Sequence, residues 1–93
     1  MTEPTNDAVR RLLREQPEWR PILEACLELA RLTGGITAKF VAQRVGHTVR
    51  LAPLAQRGIL QTVGPPVRGG HRRHYRMPEP EEVEHALRDP LTS

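Results

Sequence analysis

Arginine supplies most of the chemistry this chain can offer. Between Leu29 and Pro78 there is no aspartate or glutamate, while Arg31, Lys39, Arg44, Arg50, Arg57, Arg68, Arg72, Arg73 and Arg76 all fall in that stretch. The formal net charge of +3 is therefore a +9 centre between flanks of −6, which hold all 11 acidic residues and only five basic ones. A guanidinium is planar, permanently charged and presents paired N–H groups that match phosphate oxygens or the edge of a guanine. A surface of one sign needs a partner of the other, and the phosphate backbone of a nucleic acid is the partner these side chains fit. The plainer alternative is a solvated basic face with no dedicated partner.

Other chemistries are poorly equipped. The central stretch has no carboxylate for acid–base work and no serine or cysteine nucleophile, and the only serine is Ser93, so no catalytic residue is assigned and no enzyme is expected. His71 and His74 are the one pair with metal-ligand character, but on a strand that spacing puts them on opposite faces, and no metal site or other cofactor is expected. The single cysteine, Cys26, excludes an internal disulfide. Its apolar neighbours at helical spacing predict a buried, inert thiol suited to a reducing cytoplasm. No apolar run approaches the roughly 20 residues that cross a bilayer, and residues 1–7 lack the basic start and apolar stretch of a signal peptide. A soluble cytoplasmic protein without membrane contact is expected.

Positioning the cations falls to one small domain. Ninety-three residues with Trp19, Phe40 and Tyr75 as the only aromatics imply a modest core of Leu, Val, Ile and Ala. A loose tail gives way near Thr5 or Asn6 to a short helix over Asp7 to Glu15, with Val9, Leu12 and Leu13 in helical register and Pro17 closing it. The longest helix follows, with Pro21 in its opening turn, Gly34 and Gly35 at its end, and Trp19, Ile22, Leu23, Cys26, Leu27, Ala30 and Leu32 as an apolar stripe. Ile36 is an extended step. Thr37 then caps a helix carrying Ala38, Val41, Ala42 and Val45 on one face and stopping at Gly46. Leu51, Leu54 and Gly58 describe a fourth helix that Pro53 forces to be short and to start late.

Ile59 to Val63 is prone to strand, Gly64, Pro65 and Pro66 break it, and Gly69 and Gly70 form a tip before Arg72 to Met77 returns as a second strand. Alternation puts Arg73, Tyr75 and Met77 on one face of that strand and Arg72, His74 and Arg76 on the other. An acidic helix from Pro80 to Leu87 closes the chain, with Val83, Ala86 and Leu87 able to dock on the body or on a second subunit. The fold class expected is mainly α with a small β-hairpin. Residues 1–16 form a tail and short helix, 17–78 the central domain, and 79–93 an acidic helix and tail.

From about Trp19 to Met77 this order of elements resembles the winged helix-turn-helix family of prokaryotic-type transcription regulators. The segment Gly35-Ile36-Thr37-Ala38-Lys39-Phe40-Val41-Ala42-Gln43-Arg44-Val45-Gly46 looks like the first helix of that motif, and Leu51 to Leu60, with Gly58 at the exit, like its second. Arg68-Gly69-Gly70-His71-Arg72-Arg73 looks like the wing, and Tyr75-Arg76-Met77 like the strand that brings it home. The chain departs from the family in the recognition helix. The stretch between Gly46 and Gly58 is about five residues shorter than is usual there, which removes more than one turn from the helix that ordinarily lies in the major groove.

The resemblance implies a three-helix core with a two-stranded wing and double-stranded DNA binding in transcription regulation or nucleoid organisation. Lys39 would meet the DNA backbone, His47, Thr48 and Arg50 would stand at the start of the shortened helix, where Arg50 would offer two parallel donors to a guanine edge, and Arg68, His71, Arg72, Arg73 and Arg76 would contact phosphates or a minor groove, so that binding is either sequence-specific or architectural. Arg31, Arg44 and Arg57 are weaker candidates, Arg44 serving its own helix terminus. Two other classes stay open: a winged-helix module that recognises another protein, for which the short helix argues, and an RNA-binding module reading shape rather than sequence. A homodimer through the terminal helices is compatible with the pattern, and no small-molecule effector is indicated.

Overall fold

The computed structural model describes residues 4–63 and 74–88. Its elements are helices α1 (Thr5–Glu15), α2 (Trp19–Leu32), α3 (Ala38–Val45) and α4 (Ala52–Gln56), strands β1 (Gln61–Val63) and β2 (His74–Arg76), and helix α5 (Pro80–Arg88). The molecule is thus mainly helical with one two-stranded antiparallel sheet.

Local sequence accounts for most of the boundaries. In α3 the Thr37 hydroxyl accepts the Phe40 amide at 3.2 Å, satisfying one of the donors a helix start leaves free. The same helix ends at Gly46 with φ of 86°, a left-handed conformation that only glycine adopts without steric cost. Pro53 lies in the first turn of α4, where its missing N–H is no loss. After five residues the chain turns back on itself: the amides of Ile59 and Leu60 both donate to the Leu54 carbonyl, at 3.0 and 3.3 Å. That turn corrects the strand expected from Ile59 onward. Ile59 and Leu60 are core residues buried before the strand begins, and β1 is limited to three exposed residues.

Helix α2 is the hub against which α1, α3 and α5 pack. The expected stripe along it needs a second correction. Ile22, Leu23, Ala25, Cys26 and Leu29 are buried, whereas Trp19, Leu27 and Ala30 are only partly buried and Leu32 is 65 % exposed. The buried sector takes in Ala25 and Leu29, which the expected stripe leaves out, and excludes Leu32, because the apolar residues of α2 extend past the sector that the other helices cover. Burial pushes the Cys26 thiol up to about 12, so almost none of it is thiolate near neutrality. A thiol reagent is expected to label Cys26 only after denaturation; fast labelling of the native chain would place the residue outside the core.

The terminal helices close the same core. Val83, Ala86 and Leu87 of α5 and Ala8, Val9, Leu12 and Leu13 of α1 are buried in one cluster with the α2 residues, and the Arg20 guanidinium donates to the Leu87 carbonyl at 2.8 Å. The apolar faces left open for a second subunit are therefore covered by the chain itself. Among the described residues no helix is long and apolar enough to cross a membrane.

Candidate nucleic-acid interface

The hairpin and α3 are tied together by backbone. Ile36, one residue before the Thr37 cap, exchanges hydrogen bonds with Tyr75: its N–H donates to the Tyr75 carbonyl at 2.9 Å and its carbonyl accepts the Tyr75 amide at 2.8 Å. The Tyr75 ring and Met77 are buried, while His74 and Arg76 on either side of Tyr75 are exposed. This alternation is the one expected for the return strand. The bridge fixes the strand bearing His74 and Arg76 beside the segment that opens α3, where Lys39 is exposed in the first turn. Arg76 is further held by its cross-strand partner, its Nε donating to Gln61 Oε1 at 2.7 Å.

The turn between α3 and α4 supplies the next group. His47, Thr48 and Arg50 are exposed, with Val49 and Leu51 buried between and after them. Those two apolar anchors set the backbone, so the polar residues alternate outward. His47 Nδ1 sits 3.1 Å from the Thr48 carbonyl, an interaction that holds the ring when Nδ1 carries the proton. Of the nine residues expected at the interface, Lys39, His47, Thr48, Arg50 and Arg76 are thus on the surface. Arg68, His71, Arg72 and Arg73 lie outside the described residues.

Two central cations are engaged elsewhere. Arg31, at the end of α2, pairs with Glu84 of α5, and the other Glu84 carboxylate oxygen lies 2.8 Å from Arg88 Nη2 in a second ion pair. The Arg31 hydrogen bond holds the Glu84 carboxyl below the usual carboxylate range and raises the guanidinium in turn. A lowered folded value means that whatever stability this surface pair gives is complete above the ordinary carboxylate range and is lost as pH falls through the lowered value. Arg44 pairs with Glu28 of α2, so its partner is a side chain of another helix in addition to the terminus of its own. Arg57 follows α4, partly buried, with its Nε enclosed and without a hydrogen-bond partner among the described residues. Lys39 and Arg50 have no ion-pair partner among the described residues.

Apart from the partly buried Arg57, the described cations of the basic centre are thereby sorted into those paired with flanking carboxylates and those left facing solvent. Sequence reasoning missed Glu28 and Glu84 as the residues that do the sorting, because both pairs form only when α2, α3 and α5 pack. It also missed Phe40, which is 47 % exposed beside Lys39; its position one residue before the buried Val41 was the available signal. Comparison of the chain with protein-family models, curated proteins and solved structures gives no match.

Proposed function

We propose that the protein binds double-stranded DNA through the face formed by Lys39, Arg50 and Arg76, using a winged helix-turn-helix arrangement in which α3 and α4 are the two motif helices and the hairpin is the wing. The observation that carries this reading is the separation of charge. Arg31 and Arg44 are paired with carboxylates, whereas Lys39 and Arg50 remain exposed with none within ion-pair distance among the described residues, and Arg76 meets only the neutral Gln61. Cations without an ion pair among the described residues, on α3, on the link before α4 and on β2, suit a polyanion whose charges repeat along its length. The order of elements and the Ile36–Tyr75 bridge support the winged-helix reading. A place in transcription regulation or nucleoid organisation follows from that reading and from nothing narrower.

Binding should proceed with release of counterions. About three phosphate contacts per molecule are expected from Lys39, Arg50 and Arg76, giving a slope of log affinity against log salt of about −3. A titration of duplex DNA, single-stranded DNA and duplex RNA of equal length across salt concentrations checks this. A flat salt dependence, or preference for either other nucleic acid, would remove the duplex DNA reading. The exposed Phe40 and Leu32 favour the second reading, a protein-recognition module, and absence of nucleic-acid binding at low salt would point there.

A further inference from the structure

We infer that this face holds duplex DNA by its phosphates without reading bases in the major groove, so that the protein is a sequence-independent binder. The inference rests on the duplex-binding reading above and narrows it. Direct readout needs three or four side chains with hydrogen-bonding groups on the element that enters the groove, and a helix-turn-helix presents them from the amino-terminal part of its second helix. Helix α4 has only five residues, about 7.5 Å of axis. Its first two residues are Ala52 and Pro53, Leu54 is fully buried and Ala55 is partly buried. Gln56 is the one side chain of α4 able to hydrogen-bond a base edge, and it stands at the wrong end of the helix. The Ala52 methyl group can touch a thymine methyl but cannot tell one G·C orientation from the other.

The cations do not compensate for this. Lys39 belongs to the first turn of α3, Arg50 to the link before α4, and Arg76 to β2. Three charges on three elements, none of them on α4, are arranged to follow a backbone rather than to converge on a few base pairs. The pairing of Arg44 with Glu28 and of Arg31 with Glu84 leaves this set as the exposed cations of the described central segment that have no carboxylate partner among the described residues. Affinity then comes from charge and is tolerant of sequence.

The test is selection of the full chain on a library of random duplexes, followed by affinities for the recovered pool and for unselected DNA. The expected ratio is within about threefold, where sequence-specific proteins reach about a thousandfold or more. Recovery of a motif bound more than tenfold tighter than random DNA would overturn the inference while leaving duplex binding intact. Arg50→Ala gives a second readout, because a lost phosphate contact costs the same on every duplex whereas a lost guanine contact costs only where that guanine is present. An equal loss of affinity, within about threefold, on the recovered pool and on unselected DNA is expected; a loss more than about tenfold larger on the recovered pool would overturn the inference by showing that Arg50 reads a base. If the wild-type chain bound no duplex at low salt, the duplex-binding reading itself would fail and this inference with it.

Discussion

Leu23→Ala is expected to destabilise the domain by about 2 to 5 kcal/mol, comparable with the whole folding free energy of a chain this small. Leu23 is fully buried near the middle of α2, the helix on which α1, α3 and α5 all rest. Truncation removes apolar contact and leaves a cavity whose walls belong to elements held at other points, so collapse into the gap is limited. Leu27 stands one turn further along the same helix but is only partly buried. Leu27→Ala should therefore cost less, about 1 to 2 kcal/mol. Urea denaturation of both variants measures the difference, provided the slope with denaturant stays that of the wild type. Equal losses would mean that the face of α2 turned to the core is not the one described.

That pair of leucines also marks the limit of what could be read from the chain. Thr37 through its hydroxyl, and Gly46, Pro53 and Gly58 through their backbones, each fix a boundary, and the helices they bound are where local reasoning places them. Which leucines of α2 reach the core is a different kind of question. Leu23, Leu27, Leu29 and Leu32 have the same side chain, and their different exposures follow from where other helices land, which depends on residues as distant as Val83 and Leu87. The candidate interface divides in the same way. Exposure of Lys39, His47, Thr48, Arg50 and Arg76 was legible from a stretch without carboxylates. The capture of Arg31 by a glutamate 53 residues away was not: Arg31 could be ranked a weaker candidate than Arg50, but nothing local to it points to Glu84.

The distinction between captured and exposed cations leads to the largest expected effect on binding. Lys39→Ala with Arg50→Ala should weaken duplex binding about 10- to 100-fold near 0.1 M salt and flatten the salt slope by about two units, because two phosphate contacts and the counterions they release are lost together. Arg31→Ala with Arg44→Ala removes the same formal charge. Those two guanidinium groups already face Glu84 and Glu28, so a phosphate would have to displace a carboxylate to use either. Their loss should leave the slope unchanged and the affinity within about twofold to threefold. Each double variant removes two positive charges, so a difference between them reports where the charge stands and not how much there is. Thermal unfolding of both variants separates a binding defect from a folding defect, and Lys39 and Arg50, exposed and without ion-pair partners among the described residues, are expected to leave it unmoved. If the two double variants weakened binding equally, attraction would come from net charge alone and the face formed by Lys39, Arg50 and Arg76 would not be the binding surface.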